Sequence, residues 1–273
     1  MSTTKMEILD IARRVAPLAA IAACWLWETV IPARRPDSGQ IRRNAVNIAV
    51  GLSNATLAAV AFGAVMTVLA SWTSANQWGV LNLLTPPLYI RWPLVLLLLD
   101  SFTYLWHCAN HRSDWLWRFH RAHHADRALT ATTAVRFHAG EIALSALAKM
   151  SLIPLFGLHL EELAAYETLL AVFTAFHHAN ISVGRWDALL RWVIVSPDMH
   201  KLHHSINPRE TNTNFATVLS LWDRLGGTFQ RPDRPDSLKF GLEEVADPKT
   251  EGFVGIWRIP FLTGPRATDP RRV

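Results

Sequence analysis

Five apolar stretches organise this chain: residues 18–31, 45–72, 92–106, 140–158 and 163–175. The first three carry little charge, and the last two form a pair with more polar flanks. Alternating patterns of strand type are short and isolated, so the stretches read as helices. About 20 apolar residues cross a bilayer core. The second stretch is ample for that and the others are borderline to adequate. The pattern predicts an all-α integral membrane protein with roughly four transmembrane helices, folded over residues 1–273 as a single domain. Ser182-Val183-Gly184 reads as a turn, and Pro197 and Pro208 confine any helix near residue 200 to a few turns. Breaker-rich segments at 231–236 and 264–270 predict an irregular tail over residues 229–273.

Charge sets the orientation. Arg34, Arg35, Arg42 and Arg43 crowd the loop after the first stretch, whereas Arg91 is alone between Trp72 and Trp92. The positive-inside rule puts the basic loop in the cytoplasm and residues 73–90 outside. The third stretch then returns residue 107 to the cytoplasm, and a hairpin over 141–179 leaves and re-enters on that side. Lys5, Arg13 and Arg14 fit this scheme poorly, so the first stretch is expected to be tilted or interfacial. No cleavable signal peptide is evident.

Composition supports the membrane assignment: half of the residues are hydrophobic and 18% are charged, against roughly 25% charged in average soluble proteins. Tryptophans stand at segment ends (Trp72, Trp92, Trp106, Trp192) as an interfacial belt. The net charge of +5 lies in juxtamembrane and tail arginines and fits anionic lipid headgroups. No interleaved basic and aromatic surface suggests nucleic acid. Cys24 and Cys108 read as inert buried thiols, not a disulfide.

The candidate chemistry is concentrated. All 12 histidines lie between His107 and His204. On a helix, His107 and His111 face one way, with Asp100 and Tyr104 on the same stripe. The trios His120/His123/His124 and His200/His203/His204 each repeat the i, i+3, i+4 spacing that converges on one helical face. Eight imidazoles exceed the four that one zinc takes, so two metals are the economical reading. His138 and the pair His177-His178 can reach the site from the ends of the hairpin, whereas His159, alone in an apparent loop, reads as structural. Asp100 would orient an imidazole or stay hydrated, and Asn180 and Asn214 would bond imidazoles or cap helices. Imidazole suits iron, zinc, copper and nickel alike. An all-nitrogen site opening towards apolar helices suits oxygen chemistry on lipid chains.

These residues resemble the fatty acid hydroxylase superfamily, which includes sterol desaturases and C4-sterol methyl oxidases. The similar stretch, residues 100–228, contains HxxxH (107–111), Trp117-Arg118-x-His120-x-x-His123-His124, Arg136-Phe-His138-x-x-Glu141 and His178-x-Asn180. It closes with Ser196-Pro-x-x-His200-x-x-His203-His204 and Asn214-Phe215 through Trp222-Asp223-Arg224-Leu225-Gly226-Gly227-Thr228. The resemblance implies a four-helix membrane core with a cytoplasmic helical cap, a di-iron centre, dioxygen as co-substrate, and electrons from a separate ferredoxin- or cytochrome-like donor. It implies as ligands His107, His111, His120, His123, His124, His200, His203 and His204, with His138 and His178 completing ten. His177 is the alternative to His178. Where relatives carry a further histidine, this chain has Thr174, and where they usually carry an aromatic it has Gly226. Asp223 and Arg224 read as an ion pair pinning the last segment under the site.

The expected activity is hydroxylation or desaturation of a lipid C–H bond by a multi-pass enzyme of the cell membrane. A membrane zinc hydrolase is the alternative, although no cluster contains the Glu of HExxH. A metal transporter ranks last, because the histidines gather at helix ends instead of mid-span.

Overall fold

The structure is a computed structural model that describes residues 3–231, 237–245 and 248–262. Among these residues it is helical, with no strand beyond the isolated bridges Ile194–Leu219 and Ser205–Phe240. α1 (Thr3–Val30) leads to α2 (Gln40–Ala58), which continues through a π-helical turn, Ala59–Gly63, into α3 (Ala64–Ala75). A short α4 (Val80–Leu84) precedes α5 (Leu88–Arg112) and α6 (Asp114–His124). The hairpin of α7 (Ala139–Phe156) and α8 (Leu160–His178) follows. The rest is short helices: α9 (Asp187–Leu190), α10 (Pro197–His203), α11 (Pro208–Thr211), α12 (Leu221–Leu225) and α13 (Phe253–Arg258).

Among the described residues three segments are long and apolar enough to cross a membrane: Gln40–Leu84, Leu88–Arg112 and Ala139–Phe156. Val15–Val30 is apolar but shorter. Their outer faces are greasy, with Val60 80% and Leu105 62% exposed, as a lipid-facing surface requires. The side chains of Lys5, Arg13 and Arg14 fall outside those described.

Inside the bundle, α8 packs on α1 and α5, and α3 packs on α7 and α8. Leu99, Ile153, Leu158 and Tyr166 lie in the core of the end remote from the histidines. That end is locked by Arg91. Its guanidinium meets Glu162 at 2.5 Å, donates to Gly157 O at 2.8 Å and to Asn82 Oδ1 at 3.0 Å. Gly157, at φ 70°, closes the α7–α8 turn, where a Cβ would stand 2.5 Å from Trp78 O. A side chain there is excluded both by the left-handed backbone and by space.

The histidine end is built by short connections. Ser113 alone separates α5 from α6 and caps the latter by accepting from Leu116 N. The basic loop lies at this same end, because Arg34 N donates to Asn180 Oδ1 at 3.0 Å and Arg34 Nη1 to Leu238 O at 2.6 Å. Arg43 is also engaged by the protein, meeting Asp37 at 2.7 Å. Half of the four arginines assigned to headgroups from sequence therefore hold the loop together.

The tail departs from the expected irregularity. Glu243–Val245, Pro248–Glu251 and Ile259–Phe261 form short helical turns around α13. Leu242, Val245, Ile256 and Ile259 are buried against Val50, Trp117 and Ala122. Arg121 ties this layer down, donating to Ile259 O at 2.6 Å and Leu262 O at 2.8 Å. Apolar positions between the breakers found a partner surface on α6 that the local sequence does not display. Residues 232–236 and 263–273, which contain most of the two breaker segments, lie outside the described residues.

Candidate metal centre

The helices gather nine histidines into two groups. His107, His111, His120, His124 and His203 form one, and His123, His178, His200 and His204 the other; within each group the candidate ligand nitrogens lie within 4.8 Å of one another. α5 supplies His107 and His111, and α8 ends on His178. Both trios are divided. The i, i+4 pair His120/His124 serves the first group and His123 the second, while His200/His204 serve the second and His203 the first. The single face expected for each trio is thus two adjacent faces, since 300° and 400° around a helix differ by 100°.

Backbone and carboxylate acceptors take the outer nitrogens. His107 Nδ1 lies 2.7 Å from Phe215 O, His123 Nδ1 3.2 Å from Arg136 O, and His178 Nδ1 2.8 Å from Thr174 O. His203 Nδ1 lies 2.8 Å from Thr213 O, and His120 Nδ1 2.7 Å from Glu141 Oε1. Acceptors at Nδ1 fix the proton there and leave Nε2 as a lone pair pointing inward. The Nε2 atoms then face one another: His107 and His120 at 3.1 Å, His111 and His124 at 3.1 Å, His123 and His178 at 3.1 Å, His178 and His200 at 2.9 Å. For His107 with His120, and for His123 with His178, both Nδ1 positions are taken, so two lone pairs meet and repel unless a cation lies between them. The buried His203 Nε2 likewise has no hydrogen bond within the protein. The residues present therefore fit two metal ions. With metal–nitrogen bonds of about 2.1 Å, neighbouring donors are about 3.0 Å apart at right angles and about 3.4 Å apart in a tetrahedron. The closest pairs, at 2.9–3.2 Å, are compatible with either, and the first group offers five imidazoles where a tetrahedral zinc takes four ligands.

Electrostatics agrees. Burial, reinforced by neighbouring imidazoles, holds His123, His124, His200 and His204 well below the ordinary histidine range. Burial takes His203 down to about 3 although its bond to Thr213 pulls the other way. Burial thus favours the neutral form of these five imidazoles, the form that ligates. Aromatic rings shield them: Phe137 stacks on His123 at 4.4 Å, and Trp117 lies 5.0 Å from His111.

The remaining expected site residues lie elsewhere. His138 belongs to neither group. It caps α7, its Nδ1 accepting from Gly140 N at 2.9 Å, while Nε2 lies 3.3 Å from Trp257 O. His177 is outside both groups, its ring 4.0 Å from that of His200. His159 caps α8. Asp100 does not meet His107; it accepts from Trp222 Nε1 at 2.7 Å and Leu219 N at 3.0 Å, stitching α5 to the last segment. Asn180 pairs with Arg34, and Asn214, at φ 54°, binds both backbone groups of Gln230. Neither bonds an imidazole. Asp223 accepts from Phe215 N at 2.7 Å and Ala216 N at 3.0 Å, and so holds the very residue whose carbonyl receives His107. Its expected partner Arg224 instead donates to Arg191 O and lies over Phe229 at 4.0 Å.

Glu141 is the carboxylate that the sequence reading left without a role. A lone acid in the first turn of an otherwise apolar helix was the available signal. Gly226 is explained as well: a Cβ there would fall 1.9 Å from Tyr104 Oη. The Tyr104 side chain crosses from α5 into the space that an aromatic at 226 would need, and its hydroxyl meets Thr228 Oγ1 at 3.0 Å.

A cavity of about 290 Å³ opens beside both groups, walled by α5, α7 and α8 and touching His107, His120, His123 and His200. Phe102, Trp106, Val135 and Ile142 make its walls apolar.

Comparisons place these features among known proteins. A family model described as fatty acid hydroxylase matches residues 92–228. Ornithine lipid hydroxylase OlsE of Rhizobium tropici is 31% identical over 182 residues, covering 63% of this chain and 52% of that protein. Alkylglycerol monooxygenase of Danio rerio is 27% identical over 179 residues, covering 64% and 36%. Cholesterol 25-hydroxylase of Mus musculus is 28% identical over 159 residues, covering 53% and 48%. The matches thus span about a third to a half of these relatives' lengths. No solved structure matches the chain.

Proposed function

Since the chain belongs to the fatty acid hydroxylase family, we propose that it hydroxylates a C–H bond of a membrane lipid at a di-iron centre held by nine histidines. The observation that carries this reading is the pair of inward-facing imidazole groups set against an apolar cavity. Two bound irons would supply dioxygen activation, with electrons from a separate ferredoxin- or cytochrome-like protein. His107, His111, His120, His124 and His203 would hold one ion, and His123, His178, His200 and His204 the other. The five imidazoles of the first group exceed the four ligands of a tetrahedral zinc. The relatives named above are all hydroxylases or monooxygenases, which supports C–H oxidation over hydrolysis or ion transport.

The chain's own residues do the positioning. Carbonyls of Phe215, Arg136, Thr174 and Thr213 hold four imidazoles in one tautomer, and Glu141 holds a fifth. The cavity wall excludes water and keeps an alkyl segment against the imidazole groups, the geometric condition for selecting one carbon. Four spans fit the topology: α2–α3, α5, α7 and α8. The histidine end faces the cytoplasm by the positive-inside rule, because Arg34, Arg35, Arg42 and Arg43 lie there.

The test is purification in detergent or nanodiscs, metal analysis, and incubation with reductant and a membrane lipid extract under ¹⁸O-labelled dioxygen. About two irons per chain and one labelled oxygen in a lipid product are expected. Protein that carries zinc alone and incorporates no label would overturn the reading.

A further inference from the structure

The same cavity ends, away from the histidines, on an ion pair between two apolar helices. Lys149 Nζ of α7 meets Glu167 Oε1 of α8 at 2.6 Å. Both residues line the cavity, among Phe102, Leu170 and Ala171. Lys149 keeps 14% of its side-chain surface and Glu167 keeps 50%, so the pair stands at the cavity's rim. α7 is one of the segments apolar enough to span a membrane, and Lys149 interrupts it between Ala148 and Met150. From Glu141 to Lys149 and from His178 to Glu167 are 8 and 11 residues. At about 1.5 Å per residue the pair is roughly 12–17 Å from the imidazoles along the helices. That is about half of a hydrocarbon core of ~30 Å.

Charges at such depth are costly and mark substrate paths more often than scaffolding. Holding α7 to α8 does not require this pair, because Arg91, Glu162 and Gly157 already fasten the hairpin at its turn. We propose that Lys149 and Glu167 form the polar subsite of the substrate cavity, and that it takes the hydroxyl of a neutral lipid alcohol. Charge balance disfavours singly charged head groups, and the pairing of one donor with one acceptor matches a hydroxyl. A carboxylate would place two anions on one ammonium, and an amine two cations on one carboxylate, each leaving net charge in hydrocarbon. A hydroxyl bridges the pair, donating to Glu167 and accepting from Lys149, and adds no charge. Its lipid tail then reaches the imidazoles, so the carbon presented to them is remote from the hydroxyl.

This subsite rests on the hydroxylase reading for its purpose but is tested by binding. The full chain in phosphatidylcholine nanodiscs is photolabelled with hexadecan-1-ol carrying a diazirine beside the hydroxyl, or at the far end. Unlabelled hexadecan-1-ol, its methyl ether and hexadecanoate compete. Charge-assisted hydrogen bonds predict displacement by the alcohol at concentrations about ten-fold lower than by the ether or the acid. The hydroxyl-end label should appear on peptides containing Lys149 or Glu167, and the far-end label near Asn110 or Thr174. In the double variant Lys149→Met/Glu167→Leu the alcohol and ether should compete equally, while the swap Lys149→Glu/Glu167→Lys keeps the preference. Metal content monitors folding of both variants; if the double variant does not fold, the swap and the label map decide. Equal competition in the wild-type protein, a reversed label map, or discrimination that survives the double variant overturns the subsite. Discrimination without oxygen incorporation would sink the hydroxylase reading alone, and incorporation without discrimination the subsite alone.

Discussion

Both ends of the helical bundle bury polar groups, and they do it in opposite ways. At the far end Arg91 is closely paired: Glu162, Asn82 and the Gly157 carbonyl take four of its five donors. At the near end five imidazoles are held by acceptors at their outer nitrogens, and the inner nitrogens confront one another at 2.9–3.2 Å. A closed network needs nothing further and reads as architecture. An array of lone pairs that repel one another is stable only with something between them. The arrangement of partners, more than the residue types, separates structural from chemical charge here.

The comparison is broken most sharply at the histidines. His124→Ala and His200→Ala each remove one donor, from the first and second group respectively. Each is expected to lower metal content below that of the wild type and to reduce oxygen incorporation by more than the 10–100-fold of an outer-partner change. Elemental analysis of the purified variants with a labelled-oxygen assay reads both. Full metal content in either variant would remove that histidine from the ligand set.

At the closed end the expected loss is stability. Arg91→Met leaves Glu162 buried without its cation, which costs about 3–5 kcal/mol for a buried pair broken from one side. Thermal unfolding in detergent should fall, while the protein that remains folded keeps wild-type metal per chain. Loss of metal at unchanged stability would erase the distinction between the two ends.

Much of this was legible in the sequence. The apolar runs gave the long helices, and the histidine spacings gave eight of the nine residues now grouped, because helical periodicity is local. His178 came from its place at the end of the hairpin and from the resemblance, with His177 as its alternative. What the sequence hid was non-local. Asp100 and His107 share a helix stripe, yet the loop around Leu219 and Trp222 reaches Asp100 first. Glu141 reaches His120 across 21 residues, a pairing that no helical spacing encodes. The tail's cover over Trp117 depends on a surface made by α2 and α6 together. Gly226 stands where relatives usually carry an aromatic, and the reason, Tyr104 in its space, lies more than a hundred residues earlier.

Glu141 supplies a subtler test of the open end. Its Oε1 holds His120 Nδ1 at 2.7 Å and accepts from Asn110 Nδ2 at 3.1 Å. Glu141→Leu removes an orienting group without removing a ligand, so metal affinity should weaken about 10–100-fold. Glu141→Gln, which keeps an acceptor but no charge, should fall between that variant and the wild type. Competition with a chelator measures the order. Identical affinities in all three proteins would show that the imidazole is oriented by packing alone.

The smallest effect belongs to His138, which its sequence context allied with the ligands and which the fold uses as a helix cap. Its Nδ1 accepts from Gly140 N, and Gly140 itself sits under Phe119, where a Cβ would approach the ring to 2.6 Å. The cap therefore fixes where α7 begins, and with it the position of Glu141. His138→Ala should cost about 1 kcal/mol, the usual loss for a capping side chain, and leave metal stoichiometry unchanged. His138→Asn, which restores a capping acceptor but presents no imidazole, should recover the stability. If it recovers stability while metal is lost in both variants, His138 is a ligand after all, and the second group holds five imidazoles like the first.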